Sequence, residues 1–112
     1  MPRGYELERI QLKPGPRETE RVRAALPKKF RVIALDERGR DLTTAQFAPL
    51  LNRESAFVIG GADGLDAEIR KSASLLLRLS ALTLPHALAQ LVLIEQIYRA
   101  ATLLTGHPYH RD

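Results

Sequence analysis

Cysteine is absent from the sequence, and aromatic residues and long apolar runs are scarce. A chain without cysteine forms no disulfide, no thiolate nucleophile and no cysteine-based metal site, which fits a reducing cytosol. Aromatic residues make up only 5% of the chain, so a platform for stacking single-stranded bases is not expected. No apolar run approaches the roughly 18 residues that a membrane span needs, and no apolar signal region opens the chain. We therefore expect a cytoplasmic protein with no membrane segment.

What the chain does contain is enough for one domain, residues 1–112. Its 112 residues are 45% apolar, which suffices for a core, although a domain this small would gain from oligomerisation. Lys and Arg exceed Asp and Glu, and the net charge is +4. This positive balance is compatible with a polyanionic partner such as RNA, but it does not identify one by itself.

Strand and helix patterns alternate along the chain. Residues 5–10 alternate apolar and charged side chains, as an edge strand does. Residues 30–35, 56–59 and 75–84 are further predicted strands, and residues 37–40 a predicted turn. Helices are predicted from Pro16 to about Leu26, from the Thr43–Gln46 capping box through Leu51, from Asp66 to about Ser74, and from Pro85 to Gly106. This alternation predicts an α/β fold with a mainly parallel sheet.

Three loops of this predicted fold are candidates for a binding site. Ligands of open α/β sheets bind at the carboxyl ends of the strands, where the loops after Leu35, Ile59 and Leu84 would lie. The second loop opens with a Gly-Gly pair, which lets backbone approach a ligand closely. By itself that pair is explained more simply as a tight turn, because it belongs to neither a Walker loop nor a GxGxxG motif.

Four segments, read in order, carry the strongest signal in the sequence. They are IGGADGL at residues 59–65, LSALTLPH at 79–86, EQIYRA at 95–100 and HPYHRD at 107–112. Each is weak alone, but their order and spacing together closely resemble one family. That family is the bacterial 23S ribosomal RNA pseudouridine-N3 methyltransferases (the RlmH family), which belong to the SPOUT class of knotted methyltransferases.

The resemblance implies a SPOUT-type α/β fold with a deep C-terminal trefoil knot and S-adenosyl-L-methionine as cofactor. The positions that match the family's cofactor-binding residues are Leu35, Gly60, Leu79, Ser80, Ala81, Leu82, Thr83 and Leu84. For His86 a capping or packing role is favoured over a catalytic one, and Glu95 with Arg99 forms an ordinary i,i+4 pair with a structural or dimer-interface role. The family also implies a homodimer.

The C-terminal tail matches the family's catalytic segment at His107, Tyr109, His110 and Arg111. Methylation at N3 of pseudouridine requires loss of the imide proton, so a base or a positive group beside the developing anion would help. The residues leave open which of the four acts as base. The chain's only histidines are His86, His107 and His110, and the tail pair has no suitable carboxylate cluster beside it, so no metal site is expected.

The implied function is methylation of N3 of pseudouridine 1915 in 23S ribosomal RNA, on assembled 70S ribosomes. The chain departs from the family in three ways. It lacks the strand and helix that usually precede the position of Tyr5, the spans at residues 14–27 and 51–56 are short, and Gln90 stands where an arginine is usual. Two alternatives therefore stay open: an inactive or impaired knotted dimer that retains cofactor binding, and a basic RNA-binding module without a cofactor.

Overall fold

Three parallel strands form the centre of the structure, a computed structural model that describes residues 1–2, 4–12, 16–60 and 65–106. The strands are β1 (Arg31–Asp41), β2 (Ser55–Val58) and β3 (Leu75–Arg78), and their spatial order is β2-β1-β3. The helices are α1 (Glu18–Ala25), α2 (Thr44–Phe47), which continues into a 3₁₀ helix (Ala48–Asn52), α3 (Ala67–Ser72) and α4 (His86–Thr105). The predicted α/β fold with a parallel sheet is confirmed for the described residues.

Helices cover both faces of the sheet because the central strand is apolar on both sides. Ile33 and Ala34 are neighbours in β1, point to opposite faces and are both fully buried. On one face the main core comprises Ile33, Phe47, Ala48, Leu77, Leu93, Ile97 and Ala100. On the other face Ala34 packs with Val22 of α1 and Ile69 of α3. A strand buried on both faces is the expected centre of a parallel sheet.

Local signals in the sequence set the ends of two helices. The Thr43 hydroxyl accepts the backbone N–H of Gln46 at 3.1 Å, and the Gln46 side chain accepts the N–H of Thr43 at 2.9 Å. This confirms the predicted capping box. The longest helix follows Pro85 as predicted and ends at Gly106, whose φ of 76° is a left-handed conformation that glycine adopts without strain. The trefoil knot stays a prediction.

The predicted strand at residues 5–10 is wrong. Residues 5–10, like the rest of the described range 4–12, form neither strand nor helix. Leu7 and Ile10, the apolar side chains of the alternating pattern, are 42% and 48% exposed. The alternation is typical of a strand that has a neighbour and a covered face, and neither is present for this segment in the described residues.

The turn predicted at residues 37–40 is also wrong, because β1 continues to Asp41. Leu77 of β3 pairs with Leu35 and again with Arg40, so residues 36–39 form an excursion between two stretches of pairing. Gly39 lies against the neighbouring strand, where an added Cβ would come within 2.7 Å of backbone atoms of Leu76 and Leu77. The excursion therefore requires glycine for close approach rather than for a turn.

The third strand is shorter than predicted, since β3 ends at Arg78 and residues 79–84 are irregular. Within this segment the Ser80 hydroxyl accepts the backbone N–H of Leu82 at 3.0 Å. Such a local bond competes with the ladder of a sheet, which explains why the apolar pattern continues where the strand does not.

The sequence-based expectation that no stretch approaches the length of a membrane span is wrong by length and composition, because one helix in the described ranges, α4, is long and apolar enough to cross a bilayer. That criterion rests on length and composition, and a core helix of a soluble protein satisfies it equally. Leu93, Ile97 and Ala100 of α4 pack in the main core of this domain.

Candidate functional site

Leu35, Gly60 and Leu79 lie at the same edge of the sheet. Ala34 pairs with Val58 and Leu35 pairs with Leu77, so Gly60 and Leu79 each follow a paired residue by two positions. Neighbouring strands are about 4.8 Å apart. Three segments that are distant in sequence, and that the family resemblance assigns to one cofactor, therefore lie side by side: Leu35 within β1, and Gly60 and Leu79 just beyond the carboxyl ends of β2 and β3.

One hydrogen bond ties two of these segments together. The Nδ1–H of His86, the first residue of α4, donates to the carbonyl oxygen of Gly60 at 2.7 Å. A proton on Nδ1 leaves Nε2 of the neutral ring as an acceptor. The bond agrees with the packing role favoured for His86 from the sequence, and it identifies Gly60 as the partner.

A solvent-open depression of about 400 Å³ lies beside this edge. Its lining residues are Glu37, Arg78, Ser80, Ala81, Leu82 and Thr83. Ala81, Leu82 and Thr83 are exposed, Leu82 by 76%. The backbone N–H of Leu82 donates to the Ser80 hydroxyl at 3.0 Å.

Residues 79–84, which match the family's cofactor-binding segment, lie in different surroundings. Leu79 packs against the main core and does not line the depression. Ser80, Ala81, Leu82 and Thr83 do line it, while Leu84 is half-buried just before α4. Leu79 thus fixes the segment to the core, and residues 80–83 form the surface that a ligand would contact.

Arg78, the last residue of β3, forms an ion pair with Asp41 at the site. Its Nε donates to Asp41 Oδ1 at 2.6 Å, and its Nη2 forms a second bond to Asp41 Oδ2. This hydrogen bonding lowers the pKa of Asp41 and raises the pKa of Arg78. The bidentate pair joins the ends of β1 and β3 at the point where residues 79–84 begin.

Sequence reasoning missed Glu37 and Arg78 as lining residues. The sequence predicts a turn at residue 37 and places Arg78 inside a strand. Arg78 did carry a signal, because it is the one charged side chain in the otherwise apolar run from Leu75 to Leu79. A charge at that position indicates a solvent-facing strand end rather than a buried strand.

The remaining residues singled out from the sequence are the charged pair on α4 and the four residues of the C-terminal tail. Arg99 Nη2 lies 2.9 Å from Glu95 Oε2, which confirms the i,i+4 pair on α4. The four residues proposed for catalysis, His107, Tyr109, His110 and Arg111, lie outside the described residues. Within the described ranges, no group of three or more His, Asp or Glu side chains could hold a metal ion.

A parallel α/β domain with a backbone-lined depression at the carboxyl edge is typical of a nucleotide- or cofactor-binding enzyme class. Comparison with known proteins names the class. The family model described as "Predicted SPOUT methyltransferase" matches residues 6–110, and the chain belongs to this SPOUT methyltransferase family.

Curated proteins of known name within this family are also similar to the chain. Proteins named Ribosomal RNA large subunit methyltransferase H from Burkholderia thailandensis and Janthinobacterium sp. are 56% and 53% identical over 100 residues, which is 84% of this chain and 64% of each relative. The protein of that name from Polynucleobacter asymbioticus is 48% identical over 121 residues, covering 100% of this chain and 82% of the relative. The chain thus spans about 64% of the length of the first of these curated relatives.

Proposed function

We propose that this chain is an S-adenosyl-L-methionine-dependent methyltransferase that methylates N3 of pseudouridine 1915 in 23S ribosomal RNA within the 70S ribosome. One observation carries the proposal. Leu35 lies in β1, and Gly60 and the segment from Leu79 follow the two strands that flank β1, which brings together the separate segments that resemble the family's cofactor site. Ribosomes are the substrate, so the site of action is the cytoplasm.

The donor set at this edge fits an adenine-containing cofactor. Ser80, Ala81, Leu82 and Thr83 line the depression with small or apolar side chains, so backbone groups other than the bonded Leu82 N–H could pair with the polar edge of a purine. Gly60 presents no Cβ to the cofactor. When bound, S-adenosyl-L-methionine supplies an electrophilic methyl group, and the protein's part is to hold and orient it.

The transfer itself requires a deprotonated imide, and we assign that task to the tail. Arg111 would stabilise the negative charge that develops on the pseudouridine ring. His107, His110 or Tyr109 would orient the base or accept its N3 proton. Neither step calls for a metal ion.

We further propose a homodimer formed through the exposed face of α4. Leu88 and Leu91 are one turn apart, so they lie on the same face, and they are 44% and 63% exposed. Two leucines exposed on a helix that also supplies the main core are a typical contact surface. We expect a second copy of the chain to cover this face, because a dimer would let a domain of 112 residues bury more apolar area.

The test is methyl transfer from radiolabelled S-adenosyl-L-methionine to purified 70S ribosomes. The comparison is with a chain lacking residues 107–112, which keeps every residue of the described fold, and circular dichroism checks that it folds. Label in the large-subunit RNA that depends on the tail is the expected result. Label of equal amount from both chains would contradict the assignment of the tail, and label on other RNA would contradict the assigned substrate.

A second candidate is a knotted dimer that binds the cofactor but does not transfer methyl groups. The observation that favours it is Gln90, which stands where the resembled family usually has an arginine. Cofactor binding measurable by calorimetry without transfer to ribosomes would select this candidate. Transfer at any tail-dependent rate would exclude it.

A further inference from the structure

Basic side chains gather at the amino ends of β1 and β2, opposite the end at which the cofactor segments lie. Lys28 and Lys29 form a turn just before β1, and both are exposed. Arg53 is exposed just before β2. Because Arg31 and Ser55, the first residues of these two neighbouring parallel strands, are paired, the turn and Arg53 lie side by side.

The charges at this amino edge, defined here as residues 27–31 and 52–55, are unbalanced. Its basic residues are Lys28, Lys29, Arg31 and Arg53. Glu54 is its one acidic residue, and Lys29 Nζ lies 3.1 Å from Glu54 Oε1. The amino edge therefore has a net charge of +3, whereas the whole chain has a net charge of +4. Most of the excess positive charge of the protein lies here.

The positive charges at the amino edge also act on one another. Arg31 donates from Nε to Ser55 Oγ at 2.8 Å and from Nη2 to the Leu50 carbonyl at 2.7 Å, and both acceptors are neutral. Burial, and after it the positive charge of Arg53, lower the pKa of Arg31. Like charges held close together destabilise a fold, and a bound anion would offset that cost.

The absence of apolar anchors indicates which kind of partner fits. None of the large apolar side chains that are exposed in the described residues belongs to the amino edge. A membrane surface or a protein partner is bound largely through apolar and aromatic side chains, whereas RNA phosphates are bound through positive charge. We propose that Lys28, Lys29 and Arg53 bind the phosphate backbone of the substrate RNA. The proposal rests on the proposed function, because that function supplies the RNA.

This phosphate contact is separate from the cofactor site. Arg31 and Leu35 are four residues apart in β1, which corresponds to about 13 Å at roughly 3.3 Å per residue. A nucleic acid duplex carries about one negative charge per 1.7 Å of its axis, so an RNA with its target base at the cofactor site has further phosphates at this distance. The amino edge should therefore affect the binding of RNA and not the binding of the cofactor.

The experiment changes single charges inside and outside the amino edge. Lys28→Gln and Arg53→Gln each remove one positive charge from it, and Arg53→Lys keeps the charge. Glu54→Gln removes its acidic residue and should strengthen binding of RNA. Arg38→Gln and Glu20→Gln are the matched controls, because Arg38 and Glu20 are exposed and lie outside the amino edge.

Two readouts are taken for each variant. The first is the Kd of the cofactor-free protein for purified 70S ribosomes, and for 23S ribosomal RNA freed of ribosomal proteins, at about 50 and 200 mM salt. The second is the Kd for S-adenosyl-L-methionine by calorimetry, together with KM and kcat on ribosomes. The first readout needs neither cofactor nor activity, so it tests the amino edge separately from methyl transfer.

We expect Lys28→Gln and Arg53→Gln to raise the Kd for ribosomes about fivefold at the lower salt concentration, and this difference from wild type should shrink about threefold at the higher one. The slope of log K against log salt should become shallower by about one. KM for ribosomes should rise with the Kd, while kcat and the Kd for the cofactor stay within about twofold. Arg53→Lys should bind as the wild type does, and Glu54→Gln should bind about twofold more tightly.

Equal Kd values and salt slopes for Lys28→Gln, Arg53→Gln and the Arg38→Gln control would overturn the proposal, because net charge rather than the amino edge would then govern binding. A Glu54→Gln protein that binds no more tightly than Glu20→Gln would also overturn it. Weaker binding to 70S ribosomes but not to free 23S RNA would assign the amino edge to a ribosomal protein instead of RNA. A wild-type protein that binds ribosomes but transfers no methyl group would overturn the proposed function, and the Kd series would still decide whether the amino edge binds RNA.

Discussion

Replacing Gly39 with alanine should destabilise the protein, although the same change often stabilises a loop. Where the backbone tolerates alanine, the loss of chain entropy in the unfolded state contributes about 0.4–1 kcal/mol of stability. Here the new Cβ would lie 2.7 Å from backbone atoms of Leu76 and Leu77. Overpacking costs about 1–3 kcal/mol, and the upper end applies because paired backbone cannot move aside as a flexible side chain can. The steric cost is larger, and we expect a net loss of about 2 kcal/mol.

The assay is urea unfolding at equilibrium, supported by thermal melting. A loss of about 2 kcal/mol corresponds to a fall in Tm of roughly 8 °C for a domain of this size. Arg38→Ala is the control, because Arg38 is exposed in the same excursion and its truncation should change stability by less than about 0.5 kcal/mol. A Gly39→Ala protein as stable as the wild type, or more stable, would refute the reasoning that close approach of β1 to β3 requires glycine.

Three further predictions concern the site and the α4 surface. His86→Leu removes the donor to Gly60 and should weaken cofactor binding about fivefold, whereas His86→Asn keeps an N–H and should not weaken it. Equal Kd values for the two variants in calorimetry would contradict this prediction. Asp41→Asn should lower the melting temperature at pH 7, because the pKa of Asp41 is depressed in the folded state and its ionised form therefore favours the fold. The difference in melting temperature between variant and wild type should disappear as the pH falls below the ordinary pKa of 3.8 and through the lower pKa of the folded state. Leu91→Glu should convert the proposed dimer to a monomer in light scattering, and a dimer of unchanged mass would argue for another interface.

Local patterns were read correctly where the decisive partners are close in sequence. The capping box at Thr43 joins residues three apart, and the ends of α4 depend on Pro85 and on the left-handed conformation of Gly106. These interactions involve a few neighbouring residues, so the sequence contains everything they need.

Patterns that depend on distant partners were misread. Residues 5–10 alternate as a strand does, but pairing needs a neighbour that the described structure does not supply. The continuation of β1 to Asp41 depends on β3, which lies more than 30 residues further along the chain. The same holds for Arg78 at the pocket, since its contact with Asp41 exists only after β1 and β3 have paired.

By itself, the sequence determined the family, the α/β class, the capping box that opens α2 and both ends of α4. Order along the chain and side-chain type are sufficient for those conclusions. Of the three loops in which a ligand site was expected, the one after Leu35 is wrong because β1 continues to Asp41, and the one expected after Leu84 begins earlier, after Arg78. Only the tertiary structure decided that Leu35, Gly60 and Ser80 share one edge, that His86 holds Gly60, and that α1 holds Asp66. The physical reason is that each of these contacts and strand pairings joins residues 24 or more positions apart, and packing of the apolar core, not local preference, brings such residues together.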